Sequence, residues 1–189
     1  MELRERVYDI DDLWSLYHQP ENEGLRFELI DGVLIEMSAP GGEHGEFALN
    51  LGSYIRAFAR EHNLGRATVG TGYHPPDDRR TLLVPDVAFI SHTRAPEPFP
   101  KKLVPVMPDL AVEIRSPSNT LAELRDKARL YLDLGASLVW LVLPDDQSVE
   151  VCRMNKSGET EKEVFGPDDT LSGDEVLPGF MVDVRSIFE

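Results

Sequence analysis

The chain of 189 residues has little cysteine and no long apolar segment. A single cysteine, Cys152, excludes an intrachain disulfide and is typical of a protein kept in a reducing compartment. Apolar runs such as "SLVWLVL" fall far short of the roughly 20 residues that a transmembrane helix needs. The opening "MELRERVYDIDDLW" carries charges where a signal peptide requires an apolar region. We therefore expect a cytoplasmic protein with no membrane span.

Positive charge is also scarce, since 19 Lys and Arg face 34 Asp and Glu and give a net charge of −15. This balance argues against broad electrostatic binding to nucleic acid, which depends on neutralising phosphates. Basic residues still cluster within Asp77–Arg80, at Lys101–Lys102 and within Arg125–Arg129. A local basic groove on an acidic protein therefore stays compatible with the sequence.

Two common site motifs are missing. The histidines have no metal-ligand spacing such as H-x₃-H, which argues against a zinc site. The stretch "GTGYHPP" lacks the Lys-Ser/Thr pair and the following helix of a phosphate-binding loop.

The chain length and an apolar content of 41% predict one globular domain over residues 1–189. Apolar residues at helical spacing predict helices over 9–19, 44–63 and 119–135. Alternating or continuous apolar runs predict strands, including a hairpin around Asp31-Gly32, strands over 65–74, 81–91 and 109–116, and a buried strand over 137–144. This order indicates an α/β fold, with a mixed sheet covered by helices on both faces.

Two carboxylates stand in apolar strand segments, where an unpaired charge is costly. They are Asp86 in "LVPDVAFI" and Glu113 in "LAVEIRS". On paired antiparallel strands they would lie about 5 Å apart and could share one Mg²⁺ or Mn²⁺ ion. Asp109 lies four residues before Glu113, so in an extended strand the two are roughly 13 Å apart and cannot share an ion. For Asp86 and for Glu113, the alternative to a metal site is a salt bridge to an arginine at a strand end.

A cation near such a metal ion could position an attacking water or stabilise charge on an anionic substrate. Arg115 follows Glu113 on the same strand face, where it can supply charge but cannot act as a base. Lys127 falls at the edge of the apolar face of the helix over 119–135. Its amine can turn toward the Glu113 strand or extend into water, and the sequence leaves both open.

These segments resemble the Uma-type restriction endonuclease family, within the PD-(D/E)XK nuclease superfamily. The matching parts follow one another in the family's order and cover nearly the whole chain. They are "FELIDGVLIEMS", a loop that ends at His44, "VPDVAFI", "PDLAVEIRSPSNT", "KARLYLDLGASLVWLVLP" and "LPGFMVDV". The resemblance implies a restriction-endonuclease-like core, divalent-metal hydrolysis of phosphodiester bonds, and a homodimer or higher homo-oligomer.

By the same resemblance, Asp86 corresponds to the motif aspartate and Glu113 to the motif glutamate. The superfamily's lysine after Glu-x is Arg115 here, and the resemblance points to Lys127 as its substitute. Tyr131, on the inward face of the same helix, is expected to be a core residue.

Two further positions look characteristic of the family. Glu28 is expected to extend the acidic cluster as a ligand or as a holder of water. His44 opens a helix, where it could be an acid or base, a phosphate contact, or a solvated side chain.

The sequence therefore predicts a Mg²⁺- or Mn²⁺-dependent endonuclease acting on DNA, with Asp86 and Glu113 as metal ligands. The rival interpretation is a catalytically inactive nuclease-fold protein that serves binding or assembly, which the net charge and the Glu-x-Arg sequence favour. The charge around Asp86 discriminates between the two. A basic rim supports a nuclease, and an acidic rim supports the rival.

Overall fold

The computed structural model describes residues 7–189, and the charged start of the chain over residues 1–6 lies outside that part. The described α-helices are α1 (Ile10–Leu16), α2 (Gly42–Glu61) and α3 (Leu121–Asp133). The described strands are β1 (Arg26–Ile30), β2 (Val33–Met37), β3 (Gly65–Val69), β4 (Val87–Ser91), β5 (Leu110–Ile114), β6 (Leu138–Leu143), β7 (Ser148–Met154), β8 (Thr160–Phe165), β9 (Thr170–Ser172) and β10 (Met181–Asp183). Within residues 7–189, no helix has the length and apolar character needed to cross a membrane.

A mixed six-stranded sheet in the order β3-β4-β5-β6-β7-β8 forms the centre of the protein. Neighbouring strands are antiparallel except for the parallel pair β5 and β6. A parallel pair needs a crossover, and α3 supplies it. Both strands of that pair are buried along their whole length, as expected for strands covered on both faces. The predicted α/β class is confirmed.

The two long helices cover opposite faces of this sheet. Helix α2 packs Leu51 and Ile55 into a core with Val112 of β5. Helix α3 packs Leu124 and Ala128 into a second core on the other face. Alternation along β5 places Val112 toward α2, so the next residue on the strand, Glu113, faces α3. The carboxylate therefore points at the helix that carries Lys127.

Local signals fix where α3 begins and ends. The Thr120 hydroxyl accepts from the Glu123 amide, and the Glu123 carboxylate accepts from the Thr120 amide at 2.8 Å. This reciprocal capping box stabilises the first turn. At the other end Gly135 adopts φ 104°, a left-handed conformation that terminates helices. The helix that positions Lys127 is thus defined by its own sequence.

The predicted hairpin is present as β1 and β2. Its turn residues Asp31 and Gly32 have φ of 51° and 85°, and positive φ at both centres is the geometry that Asp-Gly favours. Strand β1 lies beside the segment before β4, because the amides and carbonyls of Leu29 and Leu82 bond to each other. This contact brings Glu28 to the edge of the central sheet.

Two predicted strands are shorter than expected. The segment 65–74 is a strand only to Val69, because Gly70 turns the chain with φ 55°. The segment 81–91 is a strand only from Val87, because Pro85 lacks an amide for the ladder. Leu82 and Leu83 make isolated bridges instead. Asp86 therefore stands just before β4, and its backbone is not part of that strand.

A buried ion pair anchors α3 to β7. Arg125 donates from Nε to Glu150 Oε1 at 2.9 Å and from Nη2 to Oε2 at 2.5 Å. The Glu150 side chain is 1% exposed, whereas the arginine is 41% exposed. A carboxylate buried to this extent depends on its cationic partner.

Replacing Arg125 by methionine should therefore lower the free energy of unfolding by about 2–3 kcal/mol, since it leaves Glu150 buried without its cation. The matched control is Arg129→Met on the same helix, whose i,i+4 partner Asp133 is half exposed. That change should cost less than about 0.5 kcal/mol. Urea unfolding of both variants measures the difference. Equal costs would show that the pair with Glu150 does not anchor α3.

Candidate active site

A cleft of about 490 Å³ opens where the β1–β2 hairpin, the start of α2, the β4 and β5 ends and α3 meet. Each of these parts contributes to an inner group of five ionisable side chains. They are Glu28 from β1, His44 from α2, Asp86 from the residue before β4, Glu113 from β5 and Lys127 from α3. The structure thus brings five of the six predicted site residues into one cleft.

Lys127 is the centre of this group. Its Nζ lies 2.9 Å from Glu28 Oε1 and 3.0 Å from Glu113 Oε1. The lysine side chain is 18% exposed and each of these glutamates is 7% exposed. The amine therefore turns toward the sheet, and the alternative of a side chain extended into water is wrong.

Two further groups hold the same carboxylate oxygens. The Tyr131 hydroxyl donates to Glu113 Oε1 at 2.7 Å. The Val84 amide donates to Glu28 Oε1 at 2.7 Å. Both glutamates are therefore fixed by a neutral donor as well as by the ammonium of Lys127.

Asp86 is tied to the backbone next to Glu113. The Ile114 amide donates to Asp86 Oδ2 at 2.8 Å, and His44 Nε2 lies 3.2 Å from the same oxygen. Because Val87 pairs with Val112 on antiparallel strands, Asp86 and Glu113 occupy the next positions of neighbouring chain segments. The two acids are therefore neighbours across the β4–β5 pair, and their sharing of one metal ion stays a prediction.

Each carboxylate has one oxygen that these contacts leave open. Among residues 7–189, the hydrogen bonds and ion pairs to the three acids all reach Asp86 Oδ2, Glu28 Oε1 and Glu113 Oε1. None of the second oxygens is a buried acceptor without a partner. An oxygen that is neither bonded nor fully buried can be reached by water, so each acid keeps one possible ligand atom.

This donor set fits a hard cation held by few protein ligands. The described residues contain no cluster of three or more His, Cys, Asp or Glu arranged to hold a metal. Mg²⁺, however, is commonly bound through one or two carboxylates while it keeps several waters. Asp86 and Glu113 supply two carboxylates of this kind.

Burial and crowding shift the titration of the site. Burial raises the pKa of Glu113 to about 7, and nearby Asp86 and Glu28 add to the rise while Lys127 opposes it. The hydrogen bond to Asp86 raises the pKa of His44, although burial acts against this. Protonation of His44 and protonation of Glu113 would each reduce the negative charge of the cleft.

Lys127 stays protonated at neutral pH. Burial works against its charge, but Glu113 and Glu28 outweigh burial and raise its pKa. The Lys127 amine is therefore unsuited to act as a general base at neutral pH. Its role is that of a fixed positive charge.

Arg115 is the predicted site residue that the structure does not bring to the cleft. Strand β5 ends at Ile114, so the alternation that put Arg115 beside Glu113 stops one residue too early. Its guanidinium donates to the Asn119 carbonyl at 3.2 Å and to Asp145 Oδ2 at 3.3 Å. Electrostatic help from Arg115 has no support in this geometry.

Asp109 lies outside the group of cleft acids, as predicted. It precedes β5 at the end of the strand remote from Ile114. Its carboxylate accepts from Arg94 Nη1 and from the Ser91 amide, both at 2.7 Å. Those contacts give it a structural role away from the cleft.

Tyr131 is the site contact that the sequence interpretation missed, since it was expected to be a core residue. It lies one helical turn beyond Lys127, and a buried tyrosine hydroxyl usually requires a partner. These two facts could have predicted a contact with Glu113.

The rim of the cleft is acidic. Exposed Glu36, Glu123 and Asp126 surround it, and Arg26 is the cationic residue among the rim groups that the structure describes. An acidic rim is the feature expected from the sequence for the catalytically inactive rival, so this observation favours the non-enzymatic interpretation. A polyanion can approach such a rim only if a cation lowers the local negative charge.

The sheet, the covering helices and the cleft with paired acids define a nuclease-like protein with a restriction-endonuclease-like fold. Residues 14–185 match a family model described as "Uma2: Putative restriction endonuclease", so the chain belongs to the Uma2 family. The match extends over most of the chain and includes all the cleft residues. The predicted family is confirmed.

A solved structure from Anabaena variabilis, described as a putative nuclease belonging to DUF820, has a similar fold. The TM-score is 0.78 at 23% sequence identity, and the alignment covers 95% of this chain and 97% of that chain. At this identity the likeness establishes the fold. No curated protein sequence matches the chain.

The raised pKa of Glu113 predicts a pH effect on the metal-free protein. A carboxyl whose folded pKa exceeds its ordinary value of 4.5 favours folding below that pH, and the benefit is lost as pH rises to about 7. Wild type should therefore lose about 1–3 kcal/mol relative to Glu113→Gln between about pH 5 and pH 8. Urea unfolding in EDTA measures this difference.

The matched control is Glu123→Gln, because a hydrogen bond from the Thr120 amide lowers the pKa of this exposed acid. Its difference from wild type should stay nearly constant over the same pH interval. A constant difference for Glu113→Gln as well would mean that Glu113 titrates as an ordinary carboxyl.

Proposed function

We propose that the protein is a divalent-metal-dependent endonuclease that hydrolyses phosphodiester bonds in DNA. The observation that carries the proposal is the group of three acids, Glu28, Asp86 and Glu113, gathered around Lys127 in one cleft. A protein does not need three carboxylates on apolar strands to be stable, because burial of each one costs free energy. Such a cost is typical of a functional site.

Asp86 and Glu113 are the proposed ligands of Mg²⁺ or Mn²⁺. Their open oxygens lie at the ends of neighbouring strands and are hard donors, which these ions prefer. When bound, the ion would lower the pKa of a water and stabilise charge on the leaving oxygen. Glu28 is held by Lys127 and the Val84 amide, and its second oxygen is left to orient a water.

Lys127 would offset negative charge on the scissile phosphate. It remains protonated and is held by two glutamates, so its ammonium is positioned before substrate arrives. His44 Nε2 contacts Asp86 Oδ2, and the raised pKa of His44 favours the imidazolium. In that form it can contact a phosphate oxygen or give a proton to the leaving group.

The rival function is binding or assembly by a nuclease fold without catalysis. The acidic rim and the arginine at position 115 favour it. The three buried acids favour the enzyme, because a purely structural cluster could avoid the cost of burying so many carboxylates. A homo-oligomer, which the family resemblance implies, stays a prediction for measurement by light scattering.

Metal binding should be visible as a change in stability. An ion that binds the folded state alone raises its melting temperature by mass action, and here it also relieves repulsion among the acids. Mn²⁺ at millimolar concentration should raise the melting temperature of wild type by several degrees. Asp86→Asn should abolish the rise, whereas the exposed rim change Asp126→Asn should retain it. An unchanged wild-type melting temperature would count against the metal site.

Cleavage should depend on Lys127. Lys127→Met removes the ammonium and should reduce metal-dependent cleavage of plasmid or single-stranded DNA at least about 100-fold. The control Arg129→Met, one half-turn away on the exposed side, should cleave as wild type does. Circular dichroism and melting of each variant check the fold. Normal cleavage by Lys127→Met would contradict the proposed role of the lysine.

Wild type that cleaves neither DNA form with Mg²⁺ or Mn²⁺ would support the rival function. Arg115→Met in the same assay tests whether Arg115 assists cleavage electrostatically. Its contacts with Asp145 and Asn119 lead us to expect no loss of cleavage.

A further inference from the structure

A second concave surface lies at the free edge of the central sheet. A groove of about 440 Å³ runs between the last turns of α2, the edge strand β3 and the segment that contains Phe99. We call it the arginine groove, because its charged lining residues are Arg56, Arg60 and Arg66, with His92 beside them. The groove is separate from the acidic cleft: Arg60 lies about 24 Å along α2 from His44 at 1.5 Å per residue.

The charge of this groove is unusual for the chain. Most arginines in residues 7–189 pair with an acid, as expected for a protein of net charge −15. The side chains of Arg56 and Arg60 are exposed and form no ion pair or hydrogen bond with any described residue. Arg66 has a loose pair with Glu97 at 3.5 Å, and that glutamate is 81% exposed. No acid is among the groove's described lining residues.

Two structural explanations account for part of this pattern. The end of a helix carries about half a negative charge, which one cation can offset. Charged residues on an edge strand also oppose association with another strand. Neither explanation requires three arginines around a concave surface beside an aromatic ring. The carbonyls at the end of α2 are moreover satisfied by the amides of His62, Asn63 and Leu64.

The groove also has a stacking surface. The Arg66 guanidinium lies over the Phe99 ring, 5.0 Å from its centroid. Bases of single-stranded nucleic acids stack on aromatic rings and on guanidinium planes. Arg56 and Arg60 lie one helical turn apart on α2 and present guanidinium groups that match phosphate oxygens. A cationic groove with an aromatic platform is the combination found in sites for single strands.

We propose that the arginine groove binds a segment of single-stranded nucleic acid. Arg56 and Arg60 contact backbone phosphates, and a base stacks on the Arg66–Phe99 pair. The groove supplies affinity that the acidic rim of the cleft cannot provide. The proposal goes beyond cleavage, since binding here needs neither a metal ion nor the acids of the cleft.

The test is binding of a fluorescein-labelled oligodeoxythymidylate of about 12 nucleotides, followed by anisotropy in EDTA over a series of salt concentrations. For single strands, each lost phosphate contact makes the slope of log affinity against log salt less negative by about 0.7. Arg56→Ala/Arg60→Ala should therefore change the slope by about 1.4 and weaken binding at least about tenfold at low salt.

The matched control is Arg153→Ala/Arg185→Ala, which removes the same charge from arginines that pair with acids elsewhere. It should leave both affinity and slope close to those of wild type. An oligonucleotide without bases tests stacking. It should bind wild type at least about fivefold more weakly than the thymidylate, and Phe99→Leu should remove most of that difference.

Absence of binding by wild type at low salt would overturn the proposal, as would an equal loss in the control variant. Tighter binding of duplex than of single strand, or equal displacement of the probe by polyglutamate, would also overturn it. If wild type binds the oligonucleotide through the groove but cleaves no DNA, only the proposed nuclease function is contradicted. Intact cleavage with no groove-dependent binding would contradict only the groove.

Discussion

The contact on which the rest of the site depends is the buried ammonium of Lys127 between Glu28 and Glu113. Three carboxylates in one cleft repel one another, and burial removes the water that would screen them. The lysine provides the cation at 2.9 and 3.0 Å from two of these acids. Its own burial is costly, but the paired acids raise its pKa and keep it charged. The buried ammonium and the two buried carboxylates therefore stabilise one another, and removal of either would leave the other charge buried without a partner.

Several features of the fold serve to hold that ammonium in place. The Thr120 capping box sets the start of α3, and the Arg125–Glu150 pair fixes the helix on β7. Tyr131, one turn after Lys127, bonds to the same Glu113 oxygen. The contacts to the three acids involve one oxygen of each and leave the second without a protein partner among residues 7–189. A rigid cluster with open ligand atoms is what a site prepared for a cation requires.

The sequence predicted the main helices and strands and identified the two central acids. It did not predict where every side chain points. Asp86 and Glu113 stand out because their neighbours are apolar. Lys127 could not be placed, because it lies at the border of the apolar helix face, where rotation by a few degrees decides between cleft and water. Arg115 was misplaced because strand alternation fails beyond the last paired residue, and the end of β5 cannot be read from composition. Tyr131 was missed because its partner comes from another element.

Charge is distributed so that cleft and groove have opposite character. The acidic rim disfavours a polyanion unless a cation is bound, whereas the arginine groove attracts one directly. If both proposals hold, binding and catalysis are separated on the two ends of α2. Affinity would then depend on salt concentration and cleavage on the divalent ion.

The most direct test of the central claim is the anomalous scattering of Mn²⁺ in crystals grown with the ion. The account predicts one strong peak in the cleft, about 2.2 Å from an oxygen of Asp86 and from an oxygen of Glu113. Lys127 should remain within hydrogen-bonding distance of Glu28. Saturating Mn²⁺ with no peak between Asp86 and Glu113 would contradict the account.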